Sequence, residues 1–280
     1  MSSHGLGILF GLASALVWGS GDYCGGRAAF HIKPLQATFL AALSGLVMLS
    51  LAAIARGEAL PSLMGAVWAI AAGVAGMIGI AALYGGLAVG NASLVAPTAA
   101  VVGAIAPLGV SLFFEGWPSF AQLGGLMLGL VGIWLVSRPT ENTGGVGHRG
   151  FGLAILAGIS FGGFFVLLAQ IEREQIFITL VVAKTAAVVA AALLLWMQRS
   201  QLPPLTGNPL GLLAGVLDAG GNILYLLAVN FTRLDIAAVT ASMYPGTTVL
   251  LSALLLRQKI SRAQLLGLFF CLCALALLAI

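Results

Sequence analysis

Three ionisable side chains interrupt stretches of sequence that are otherwise apolar: Asp22 in V-W-G-S-G-D-Y-C-G-G, Lys184 in V-V-A-K-T-A-A and Asp218 in L-A-G-V-L-D-A-G-G-N-I-L-Y. Inside hydrocarbon each costs roughly 2.5–3.5 kcal/mol at a helix centre, so such groups face a cavity, a partner or the headgroups. Gly215, Asp218, Asn222 and Tyr225 recur at helical spacing and share one face. That face can bind a polar or cationic group or a proton, or it can bond neighbouring helices. Lys184 has two readings: an ion pair with Asp218, or a pocket for a substrate carboxylate. A pair that opens during a working cycle satisfies both. Asp22 shares a face with Ser14, Trp18, Gly21 and Gly25. It either pairs with Arg27 near the membrane surface or joins Trp18 and Ser20 at a cavity entrance. Thr240, Tyr244 and Thr248 follow at i, i+4 and i+8, with Pro245 removing one backbone hydrogen bond. There a hinge and a plain kink are equally compatible with the sequence.

The elements that position these residues follow from composition. The chain has 280 residues, 60% of them apolar and only 7% charged, with a mean hydropathy of +1.10. A soluble domain carries roughly 25% charged residues. So few charges cannot cover so much apolar surface in water, which makes this an all-α integral membrane protein crossing many times. Continuous apolar runs exclude the period-2 alternation of a barrel. The first run lacks a basic leading region and reads as a retained span. Charges, Pro, Asn and Gly divide the chain into about ten transmembrane segments: 5–26, 34–55, 63–88, 93–114, 120–138, 150–170, 176–197, 210–230, 235–256 and 263–280. Most have the roughly 17–25 residues that cross about 30 Å of hydrocarbon.

The longest hydrophilic stretch, 137–150, falls at the midpoint and splits the segments five and five. The halves, 1–138 and 150–280, resemble each other. P-S-F-A-Q-L-G-G-L in the first matches I-S-R-A-Q-L-L-G-L in the second, and Ala96, Thr98 and Ala99 match Ala238, Thr240 and Ala241 at the same offset. A five-span unit has an odd number of crossings, so its second copy enters from the opposite side. The result is two inverted five-helix repeats, with a binding place near the midplane between them.

The sequence resembles the drug/metabolite transporter superfamily, in its ten-helix form built from two EamA-type domains. The resemblance rests on G-L-A-S-A-L-V-W-G-S in the first helix, on Tyr84 followed by A-V-G-N-A-S-L-V-A-P, on F-F-E-G-W-P-S-F-A-Q-L-G-G, and on L-L-R-Q-K-I-S-R-A-Q-L-L-G in the second copy. The second copy departs in carrying Gln258 in place of the glutamate and S-F-G-G-F-F in place of Trp-Gly-Ser, and copy one has an extra residue between Glu115 and Ser119. The resemblance implies a secondary transporter using alternating access, and its members carry amino acids, sugars, nucleotide sugars, drugs and other metabolites. The expected location is the inner membrane of a bacterium.

The expected binding residues are Asp218, Asn222, Tyr225, Lys184, Tyr244, Thr240, Tyr84, Trp18 and Asp22. The stripe of Gly73, Met77, Ile80 and Tyr84 is apolar, so the cavity should be polar on the second-copy side and apolar on the other. Such walls suit a small amphipathic solute, such as an amino acid or an organic cation, with proton coupling through Asp218 or Asp22. Gly125 and Gly129 fit close packing within the fold or, alternatively, a homodimer contact. A channel or scaffold, and a membrane-embedded enzyme, are the competing classes. His4, His31 and His148 sit at ends or loops and join no catalytic motif. Cys24, Cys271 and Cys273 show no metal-ligand spacing and read as small apolar residues. No cofactor, metal or nucleic acid is expected, and no Walker motif couples the chain to ATP.

Orientation has two answers. Arg27, Lys33, Arg138, Arg149, Arg199, Arg257, Lys259 and Arg262 fall at one end, against Arg56, Arg173 and Arg233 at the other. The positive-inside rule then puts both termini outside. The resemblance puts them in the cytoplasm.

Overall fold

A computed structural model describes residues 2–89, 92–138, 148–171, 175–205 and 207–280, with the backbone alone at 84–89, 92–94 and 96. Among the described residues every regular element is a helix, eleven in all: α1 (Ser3–Ala28), α2 (Pro34–Arg56), α3 (Leu63–Val89), α4 (Ala92–Phe114), α5 (Phe120–Val136), α6 (His148–Leu168), α7 (Ile176–Met197), α8 (Pro209–Phe231), α9 (Leu234–Ala241), α10 (Tyr244–Leu256) and α11 (Arg262–Leu278). Eight spans are long and apolar enough to cross a membrane, with α9 and α10 together forming one, and α5 and α11 are shorter apolar helices. The outward faces carry residues such as Leu51, Ile54, Val189 and Leu254, all exposed. An apolar exterior of this kind is what a lipid-facing surface requires.

The repeated S-x-x-Q signal has a direct physical meaning. Ser119 Oγ accepts from the Gln122 N–H at 3.2 Å, and Gln122 Oε1 accepts from the Ser119 N–H at 3.1 Å. Ser261 and Gln264 repeat this at 3.2 and 2.9 Å. Each is a capping box that satisfies backbone donors at the start of α5 and α11. These two helices then pack on each other. A Cβ on Gly125 would stand 3.1 Å from the Ala274 carbonyl, and one on Gly129 would stand 2.8 Å from a Val239 methyl. Both glycines therefore serve close packing within the chain.

The halves interlock. The first helix of each half, α1 or α6, packs on the third helix of the other, α8 or α3, while α2 packs on α7 and α8. Backbones touch at these crossings. A Cβ on Gly215 of α8 would collide with the Ala41 carbonyl of α2, and one on Gly73 of α3 with the Ala183 carbonyl of α7. Without a hydrophobic drive between helices in lipid, contact of this closeness is a main source of association.

The ninth span is two helices. α9 ends at Ala241 and α10 starts at Tyr244. Pro245 occupies the first turn of α10, where a missing N–H costs nothing, but it cannot donate back to the Ala241 carbonyl. The chain therefore breaks where the sequence allowed a kink.

His4 ties the ends of the molecule together. Its Nε2 donates to the Leu278 carbonyl at 2.7 Å, and its Nδ1 lies 2.8 Å from Thr232 Oγ1. Both termini therefore lie at one end of the bundle. That end is also held by two carboxylates of the first half. Glu58 Oε2 accepts from the Ile178 N–H at 2.8 Å, in the first turn of α7. Glu115 accepts from the Leu234 N–H at 3.1 Å, at the start of α9. Both contacts follow the helix dipole, since carboxylates favour helix N-termini. Arg233 completes the closure. It grips Asp235 through Nε and Nη2, at 3.1 and 2.9 Å, and donates to the Gly116 carbonyl at 2.7 Å.

Candidate functional site

A cavity of about 230 Å³ lies between the interlocked halves. Its floor includes the buried Leu168 and Leu180, and it extends toward the end opposite the termini, along the last third of α1 and the first third of α2. Its charged lining residues, among those described, are Asp22, Lys184 and Asp218.

Lys184 of α7 and Asp218 of α8 form an ion pair through Nζ and Oδ2. The lysine side chain is only 14% exposed, whereas that of Asp218 is 41% exposed to the cavity. The largely buried lysine charge is met by the Asp218 carboxylate. Asp22 of α1 is exposed into the same space and has no hydrogen-bond or ion-pair partner among the described residues. The alternative pairing with Arg27 is not formed, because the Arg27 guanidinium lies over the Phe30 ring at 5.4 Å. Instead Asp22 shares the cavity with Asp218. α1 and α8 touch at this level, since a Cβ on Gly21 would stand 3.5 Å from the Asp218 nitrogen.

Asn222 lies one turn beyond Asp218 and also lines the cavity. It is 2% exposed, and its Oδ1 has no hydrogen-bond partner among the described residues. A buried acceptor left open costs about 1–3 kcal/mol, and native structures retain few of them.

One wall is aromatic. Trp18 meets Phe165 at 5.7 Å and Phe164 at 6.4 Å between ring centroids. The Trp18 Nε1 donates to the Asp218 carbonyl at 3.1 Å, which fixes the indole against α8. A Cβ on Gly221 would collide with that indole, so the glycine is what lets the ring lie down. Phe161 and Tyr244 extend the wall. Small residues of α3 and α4 make room for these rings: a Cβ on Gly76 would stand 3.4 Å from Phe164, and one on Gly103 would stand 3.3 Å from Phe161.

The structure separates the residues the sequence had grouped. Trp18, Asp22, Lys184, Asp218, Asn222 and Tyr244 line the cavity. Tyr225 does not. It is fully buried behind the aromatic wall, stacked on Trp18 at 5.9 Å and donating to the Phe165 carbonyl at 3.0 Å. Thr240 also lies away from the cavity. Its hydroxyl donates to the Ile236 carbonyl of its own helix at 2.7 Å, and it packs where Gly11 of α1 has no side chain. Thr248 bonds the Gly19 carbonyl at 3.0 Å, so the three-residue stripe is divided by the helix break. Tyr84 lies in α3, and its side chain falls outside the described residues. The division of polarity also differs from expectation. The first half contributes Asp22, and the second contributes Phe161, Phe164 and Phe165, so polar and aromatic walls each draw on both halves. The three phenylalanines were not anticipated. Their signal was S-F-G-G-F-F, which stands where the second copy would carry its Trp-Gly-Ser.

Comparison with known proteins agrees with this architecture. The EamA-like transporter family matches the chain twice, over residues 5–138 and 148–280. No curated protein matches it. A solved structure titled only as the crystal structure of a protein is similar over 97% of this chain and 95% of its own, with 18% identity and a TM-score of 0.79. At that identity the likeness concerns the fold.

Proposed function

From the premise that the chain belongs to the EamA-like transporter family, we propose that it is a secondary transporter moving a small amphipathic metabolite, such as an amino acid or organic cation, by alternating access. The observation that carries this reading is the cavity itself, closed toward the termini, with Asp22, Lys184 and Asp218 beside an aromatic wall. Its polar groups would hold the charged head of a cargo and the rings its apolar body. The inverted repeats give the motion a simple form. Bonds from Glu58, Glu115 and Arg233 hold one end shut, and exchange of conformation between the halves would open that end and shut the other. The short helix break at 242–243 is a natural place for such bending. Asp218 and Asp22 are the carboxylates that would carry a coupled proton.

The test is uptake into liposomes of labelled amino acids and organic cations, with and without a pH gradient, in parallel with Asp218→Asn. Saturable uptake that is lost in the variant supports the reading, and dependence on the gradient supports proton coupling. Flux that rises linearly with concentration, with no exchange against unlabelled cargo inside, would point to a channel instead.

A further inference from the structure

We infer that the cargo carries a protonated amine, that its ammonium docks against Asp22 and Asn222, and that zwitterionic and anionic molecules of the same body are discriminated against. This rests on the transporter reading and narrows its cargo.

The first argument is charge. Among the described residues the cavity holds two carboxylates and one ammonium. Lys184 and Asp218 neutralise each other. What remains is one negative charge, on Asp22, in a space whose other walls are apolar and aromatic. A single cation restores neutrality there.

The second argument is hydrogen-bond sense, and it is independent of charge. Among the described residues the open polar positions include three acceptors: the Asp22 carboxylate, the Asn222 Oδ1, and the Asp218 Oδ1 that Lys184 leaves. Two of the cavity's donors are engaged, Lys184 on Asp218 and the Trp18 Nε1 on a backbone carbonyl. An ammonium brings up to three N–H donors and no acceptor, which matches this set. A cargo carboxylate would have to displace Asp218 from Lys184 while lying beside the charge of Asp22.

The third argument is the wall. Trp18 stands four residues before Asp22 on α1, on the same face, and Phe164 and Phe165 lie against it. Indole and phenyl faces attract a cation and accept an apolar body. A volume of about 230 Å³ suits one ring and a short chain.

The experiment uses three probes with one body: phenethylamine, phenylalanine and 3-phenylpropionate. Binding of tritiated phenethylamine to the purified full chain is measured at neutral pH, with the other two as competitors. The expected result is saturable amine binding, with phenylalanine at least tenfold weaker and 3-phenylpropionate not competing. Asp22→Asn is expected to weaken amine binding at least tenfold, and Asp22→Glu to recover most of it. Should Asp22→Asn fail to fold, Asn222→Leu removes an acceptor without touching charge and should weaken the amine by a similar factor. Phenylalanine or 3-phenylpropionate competing as well as the amine overturns the inference, as does amine binding unchanged in both Asp22→Asn and Asn222→Leu. The transporter reading is tested separately, by uptake of the same probes into liposomes above the leak of protein-free vesicles. Phenylalanine uptake without amine binding overturns the charge assignment alone. Amine binding without uptake of any probe overturns the carrier and leaves the site. Neither binding nor uptake overturns both.

Discussion

At the scale of single residues, the Lys184–Asp218 pair has a measurable weight. Removing one partner of a fully buried pair costs about 3–5 kcal/mol, because the other charge is left uncompensated. Asp218 is half open to the cavity, where water screens it, so the expected cost of Lys184→Met is smaller, about 1–3 kcal/mol. The double variant Lys184→Met, Asp218→Asn removes both charges and should recover part of that loss. A double-mutant cycle on thermal unfolding in detergent reads the coupling directly, with an expected value of about 0.5–3 kcal/mol. Losses in the two single variants that simply add in the double would mean that the pair holds nothing together. The pair was legible in the sequence because a charge inside an apolar run has few places to go. Phe161, Phe164 and Phe165 were not legible. An apolar ring reads the same whether it faces lipid, a neighbouring helix or a cavity. Tyr225 and Thr240 do not line the cavity. Spacing gives an angle around the helix axis, and neighbouring helices decide what covers it.

At the scale of elements, helix crossings rather than polar contacts fix the geometry of the site. Gly215 lets α8 lie against the Ala41 carbonyl of α2, three residues before Asp218. Gly215→Ala would push these backbones apart, and neither can give as a flexible side chain can. The expected outcome is a marked loss of folded protein, with cargo binding lost in what remains. Gly163 on α6 has nothing within 4 Å of its would-be Cβ. Gly163→Ala should therefore be neutral or raise stability by up to about 1 kcal/mol, through helix propensity. Size-exclusion profiles after heating separate the two. At the closed end, Glu115 holds the first N–H of α9. Hydrogen bonds to a charged acceptor are worth about 1.5–3 kcal/mol, and Glu115→Gln should lose much of that. Faster hydrogen exchange confined to the first turn of α9 is the signature expected, and unchanged exchange there would show that Arg233 alone suffices. These crossings explain why helix number and order were readable in advance and partners were not. Span length is a property of one segment. In lipid, however, the outward and inward faces of a helix are both apolar, so hydropathy does not say which neighbour it meets.

At the scale of the whole molecule, the cavity and the termini lie toward opposite ends of the bundle. A cysteine placed at Gly25, in a background without the three native cysteines, would line the cavity with room for its side chain, since the nearest atom to a Cβ there is 3.7 Å away. A membrane-impermeant maleimide should label it only from the face opposite a C-terminal tag. Labelling from the tag's own face would mean that the protein rests in the reverse conformation. In cells the same experiment decides between the two orientations that the Lys/Arg count and the family resemblance support. One further property follows from the hydrogen bond between His4 and the Leu278 carbonyl. It brings the two ends of the chain together, so in connectivity the molecule is close to a ring. A short linker joining the ends, with a new opening at 139–147, would give a permuted chain in which the later half is synthesised first. Each half has an odd number of crossings, so the new ends would emerge at the cavity's side of the membrane while every helix kept its neighbours. Transport by such a permuted chain would show that the order in which a ribosome delivers the halves is separable from the shape they reach, and its failure to fold would show that this order matters.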